Sequence, residues 1–154
     1  MKSALSLLPL VLSVTACGTV TDWRELSTAP MTFGECYDGL VFIATRDGFA
    51  ADTLASDRGL GTWHSRWRER ELGLGRPGRY RLRAEVMIDE GSTTIGWPIR
   101  YAIEQQKVKD LGRSRQPREE DWSDDGQDRE REAIFGEKLV RRLAPKAAPA
   151  RSGA

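Results

Sequence analysis

The sequence has one histidine, two cysteines and almost no net charge. His64 sits in a strand pattern between Trp63 and Ser65, and nothing in the spacing supplies the acid that would hold it as a catalytic base. A zinc site built on one His and one Cys would need carboxylates to complete it, and no ligand cluster occurs. Gly73, Gly75 and Gly78 do not lead from a strand into a helix, which excludes a phosphate-cradling loop. The 24 basic and 23 acidic side chains nearly cancel, so bulk charge points neither to nucleic acid nor to general membrane adhesion. No apolar run reaches the roughly 20 residues that a membrane-crossing helix requires. These absences predict a non-enzymatic protein with no cofactor, no metal and no nucleic-acid partner.

The clearest feature present is the N-terminus. Met1-Lys2-Ser3 is a short positive segment, and residues 4–14 are apolar but too few to span, the pattern of a cleaved signal peptide over residues 1–16. The run ends in Val14-Thr15-Ala16-Cys17, which resembles the lipobox of bacterial lipoprotein precursors. That resemblance implies that Cys17 becomes the acylated first residue of the mature chain. Gly18 after it, in place of Asp, implies sorting to the periplasmic face of the outer membrane. The membrane is then a partner through lipid alone, and two or three acyl chains make such attachment lasting. With Cys17 acylated, Cys36 has no disulfide partner, and its helical setting predicts a small core hydrophobe.

Residues 17–29 read as a lipidated tether, with brief pairing to a sheet near Trp23 to Leu26. Residues 30–143 read as one domain and 144–154, rich in Ala and Pro, as a disordered tail. Thr32 with Glu35 forms a capping-box pattern, the apolar stripe Phe33, Cys36, Tyr37, Leu40, Val41 and Ala44 follows at helical spacing, and Gly48 fits a helix stop. Residues 49–55 and 60–70 then read as a hairpin. From Arg79 to Ile103 strict alternation predicts two further strands, with Tyr80, Leu82, Val86, Ile95, Trp97, Ile99 and Ile103 inward. Pro98 marks the last of these as an edge or bulged strand. Residues 107–127 lack apolar periodicity and read as a mobile charged loop, and residues 128–143 as a second helix with Ile134, Phe135, Leu139 and Leu143 in its stripe. The fold class is α+β: a two-layer, helix-grip-like sandwich of order α-β-β-β-β-α, with both helices on one face of an antiparallel four-stranded meander.

The outward face concentrates arginine. The pattern places Arg66, Arg68 and Arg70 beside Arg79, Arg81 and Arg83, with Arg100 on the last strand. Like charges across a ladder repel, so something must offset them. The long side chains could splay into solvent. The acidic block Glu119, Glu120, Asp121, Asp124, Asp125, Asp128, Glu130 and Glu132 could fold across them. Or an outside anion, such as a glycolipid or an acidic partner, could bind the guanidinium forks.

The lipobox, the helix ending in Gly48-Phe49, and the meander entered by Arg79-Tyr80-Arg81-Leu82-Arg83 together resemble the outer-membrane assembly lipoproteins of the BamC (NlpB) type, and secondarily the LptE type. The resemblance rests on the order of elements. It implies an accessory subunit of an outer-membrane assembly complex that binds through its basic sheet face or edge strand. Alternatives are a standalone ligand-binding or structural lipoprotein and, more remotely, a hydrolase.

Overall fold

The computed structural model describes residues 21–72, 75–110, 112 and 116–144. Cys17, the leader and the C-terminal tail lie outside the described residues. Strands β1 (Arg24–Ser27), β2 (Thr62–His64), β3 (Arg68–Leu72), β4 (Arg76–Val86), β5 (Pro98–Val108) and β6 (Trp122–Gln127) form one antiparallel sheet, with helices α1 (Phe33–Arg46) and α2 (Arg129–Leu143) against one face. The α+β class and the helices-on-one-face layering match the sequence expectation, but the sheet has six strands.

Two long strands carry the sheet. β4 and β5 pair from Gly78↔Lys107 to Val86↔Ile99. Each outer edge is shared by two short strands laid end to end, β2 and β3 beside β4, β1 and β6 beside β5. β5 is therefore interior, and the expected edge at Pro98 does not exist. Pro98 opens the strand, and its carbonyl accepts the Met87 amide at 2.8 Å, so its missing N–H falls where the ladder ends.

Both ends of the segment expected as a mobile loop over 107–127 are regular structure. β5 runs on to Val108, a 3-10 turn covers Glu119–Asp121, and β6 pairs Trp122 with Val108 and Asp124 with Gln106. Likewise the Trp23 to Leu26 region contributes a strand proper, β1, rather than a passing contact. The expected strand over 49–55 is instead a run of turns with isolated bridges Ala51↔Ser65 and Asp57↔Thr62. Asp52 Oδ1 accepts the Leu54 amide and Asp57 Oδ1 that of Gly59, and such side-chain bonds compete with ladder pairing.

Helix α1 begins as the sequence indicates. Thr32 caps it, its hydroxyl accepting from the Glu35 amide while Glu35 accepts from the Thr32 amide, and Gly48 follows at φ 82. Cys36, Leu40, Ile43 and Ala44 of α1 and Phe135, Leu139 and Leu143 of α2 meet Leu82, Val86, Ile99, Tyr101 and Ile103 in the core. Phe49 joins it by edge-to-face contacts with Tyr80 and Phe135. Each such large side chain contributes about 1.5–3 kcal/mol when fully buried. Ile95 and Ile134, expected inward, are 69% and 46% exposed, because Ile95 lies in a turn and Ile134 sits beside the buried stripe.

The buried stripe of α2 includes a residue that helical spacing places there but its charge would exclude. Glu132 is fully buried at the gap between β1 and β6, where the middle of β5 has no edge partner. Its Oε1 accepts from the Ile103 amide at 2.9 Å and Gln127 Nε2 at 2.7 Å, and its Oε2 from Arg24 Nε and Arg129 Nη1, both at 3.1 Å. The Ile103 carbonyl in turn accepts from the Asp128 amide at 2.8 Å. A carboxylate and a helix cap thus complete the edge that backbone leaves open.

Candidate functional site: an arginine-tryptophan ladder

The face of the sheet away from the helices is set by two phase relations. Leu82 and Ala84 point inward, so Arg79, Arg81, Arg83 and Glu85 point outward, and on β5 Arg100, Glu104 and Gln106 share that face. Between β2 and β3 the register with β4 slips by one residue, since His64 opposes Arg83 but Arg68 opposes Tyr80. This bulge turns Trp67 outward and Arg68 and Arg70 inward, toward the helices.

The seven arginines expected on one basic face therefore divide. Arg79, Arg81, Arg83 and Arg100 lie on it. Arg68 reaches the Gly48 carbonyl at 3.4 Å, and Arg70 pairs with Asp128 at 2.8 Å and with Gln105, both on the helix side around the Tyr80 ring. Arg66, in the bulge, is exposed and carries no ion pair among the described residues.

The outward arginines interleave with tryptophans. Arg79 lies between Trp67 and Trp122, which come from opposite edges of the sheet, at 4.6 and 4.5 Å from guanidinium carbon to ring centre. Arg81 stacks on Trp67 at 4.5 Å, and Arg83 and Arg100 flank Trp23 at 5.1 and 5.0 Å. Contacts of this kind contribute about 0.5–1 kcal/mol when exposed and about 2 when desolvated.

Every outward arginine also meets a carboxylate. Glu104 accepts from Arg81 Nε and Arg83 Nη1, both at 2.8 Å, Glu85 from Arg100 Nε at 2.7 Å, and Glu119 grips the two terminal nitrogens of Arg79. Cross-strand opposition supplies two of these, Arg81↔Glu104 and Arg100↔Glu85. Burial pushes the Glu104 carboxyl up, but the hydrogen bonds and charges of Arg83 and Arg81 outweigh it, and the group sits below its usual 4.5. The Arg79 hydrogen bond likewise holds Glu119 below its ordinary value.

The offset comes from within the chain but mostly from outside the acidic block: Glu104 and Glu85 of the central strands serve three of the four outward arginines, and only Glu119 of the block reaches the fourth, Arg79. Asp125 of the block reaches Lys107 at 2.6 Å, and Asp128 and Glu132 serve Arg70 and Arg24. A shallow groove of about 380 Å³ remains beside the ladder, lined by Trp67, Arg81, Arg83, Glu104, Gln106 and Asp124 among others. Its two guanidiniums and two carboxylates balance, so it is polar without being basic.

His64 shares this face, opposite Arg83. Burial first, then the charges of Arg83 and Arg81, lower its pKa, so the ring is neutral at pH 7, and its Nε2 is buried without a hydrogen-bond partner among the described residues. The neighbouring hydroxyls are engaged by backbone: Ser56 Oγ by the His64 amide, Ser65 Oγ by the Leu82 amide. Cys36 is buried under α1, which pushes its thiol up to about 12. Among the described residues no three His, Cys, Asp or Glu side chains converge as a metal site, and no helix is long and apolar enough to cross a membrane.

What the sequence concealed was the role of Trp23, Trp67 and Trp122. Trp67 faces outward only because of the bulge, which no alternation count can place, while Trp23 and Trp122 sit in segments without periodicity. Their signal was available in composition, since five tryptophans in this chain exceed what the core uses. The fold and site define a helix-pair-on-sheet domain whose outer face is a closed arginine-tryptophan-carboxylate ladder. No protein-family model matches the chain, and no curated protein is similar to it.

Proposed function

We propose that this protein is a non-enzymatic lipoprotein of the bacterial envelope, held by acyl chains on Cys17 at the periplasmic face of the outer membrane, where it serves as an accessory docking subunit of an assembly complex. The observation that carries this reading is the Val14-Thr15-Ala16-Cys17 sequence placed only four residues before the first described residue, Thr21. Four residues span at most about 14 Å, so an acyl anchor on Cys17 would keep the domain against the bilayer surface. Thr21 lines the groove beside the ladder, so this face would lie close to the anchor.

The ladder supports docking of a particular kind. Its arginines are already matched by carboxylates, which disfavours loose adhesion to any anionic glycolipid and favours a partner that fits the rigid, near-neutral arrangement. The same matching supports the alternative of a standalone structural lipoprotein. Chemical crosslinking in intact cells followed by pull-down separates the two. Recovery of an outer-membrane barrel or transport subunit supports docking, and recovery of lipid alone supports the standalone protein.

A further inference from the structure

The pairing of Arg79 with Glu119 differs from every other pair on the ladder. The Arg79 side chain is 8% exposed, whereas that of Glu119 is 78% exposed. Glu85 and Glu104, which serve the other arginines, are each 17% exposed and belong to the two central strands. Glu119 comes instead from a three-residue 3-10 turn outside the sheet. The cation is fixed and the anion is at the surface.

Three contacts fix the cation. Trp67 and Trp122 cover its two faces, and Gln106 Oε1 accepts from Nε at 2.7 Å. That leaves the two terminal nitrogens aimed outward as a fork with the spacing of a carboxylate. An arginine normally loses side-chain freedom when it binds, and here the sheet has already imposed that loss. Glu69, which opposes Arg79 across the β3–β4 ladder, is exposed and makes no hydrogen bond to it.

We propose that Arg79 is a preformed carboxylate-binding socket in which Glu119 is a self-ligand, and that a carboxylate of an acidic peptide segment on a partner displaces it. The carboxylate is either an acidic side chain or a chain end. Glu119 competes at the effective concentration of a tethered group, on the order of millimolar, so an outside ligand binds weakly until Glu119 swings away. The chain therefore holds its own docking site closed. This names the chemistry of the docking proposed above and rests on it, but a solution titration does not involve the acyl anchor, so the two can fail separately.

The test uses the full chain and its Glu119→Gln variant. N-acetylglutamate α-amide carries the side-chain carboxylate, N-acetyl-Ala-Ala the chain-end carboxylate, and N-acetyl-Ala-Ala amide neither. Each is titrated while the indole N–H resonances of Trp67 and Trp122 are followed by NMR. The expected result is a saturable shift in Glu119→Gln with at least one carboxylate probe, at least tenfold tighter than in the unaltered chain, and none with the amide. The probe that binds identifies the source. Equal responses in both proteins, a response to the amide, or no response to either carboxylate overturns the proposal. Adding Arg79→Lys to the Glu119→Gln background should abolish the shift while the resonances remain dispersed.

Discussion

Replacing Glu132 with alanine would open the outer edge of the sheet at its midpoint. The carboxylate accepts four hydrogen bonds, and its own side chain is fully buried. Losing it strands the Ile103 amide in the sheet interior, about 1–3 kcal/mol for an unsatisfied buried donor. Arg24 and Arg129 are 41% and 45% exposed and can turn to water, so their loss adds little beyond the charge-assisted bonds themselves. The truncated side chain also leaves a void. Together these place Glu132→Ala at about 3–5 kcal/mol, the range for breaking a buried charged network. Glu132→Gln keeps an acceptor for Ile103 but turns an NH2 group toward donors, about 1.5–3 kcal/mol. Urea denaturation followed by far-ultraviolet circular dichroism measures both, and amide exchange at Ile103 should accelerate in Glu132→Ala beyond the change at Leu82. A Glu132→Ala protein within 1 kcal/mol of the parent would refute the view that this carboxylate completes the edge.

The remaining expectations concern the ladder and the two chemically reactive side chains. Arg79→Lys keeps the charge but loses the flat fork and the stacking on Trp67 and Trp122, so it should cost about 1–3 kcal/mol in the same denaturation assay; an unchanged midpoint would mean the ladder contributes little. His64 has a folded pKa below its ordinary 6.5, so the unfolded chain takes up the proton first as pH falls. Its contribution is complete above pH 6.5 and is lost as pH drops through the folded value, and His64→Gln should flatten that part of the stability profile. Cys36, with its thiol pushed up to about 12, should resist iodoacetamide at pH 8 in the native protein and react fully in denaturant, as read by intact mass; rapid native labelling would contradict its burial.

How much could be read from the chain depended on whether one residue type served one purpose. The capping box at Thr32 and Glu35, the α1 stripe and the alternation of β4 were legible, because local chemistry and burial agree there. β6 was not, since Trp122-Ser123-Asp124-Asp125-Gly126-Gln127 has one apolar side chain and pairs through its backbone and the Lys107–Asp125 bridge. The inward turn of Arg68 and Arg70 was hidden by a single-residue slip at the β2–β3 junction, which no alternation count can place. Glu132 was hidden for the opposite reason: a charge inside an apolar stripe reads as a break in it until the open edge of β5 is seen. Reading the outer face as a basic patch counted the arginines without the carboxylates that register places opposite them.

Membrane anchoring depends on where the mature chain begins and what it carries. Intact-mass and peptide mass spectrometry of the protein extracted from bacterial envelopes addresses this directly. The predicted result is a chain starting at Cys17 and bearing a thioether-linked diacylglyceryl group. A mature protein that starts elsewhere, or that carries an unmodified Cys17, would contradict the membrane-anchored reading.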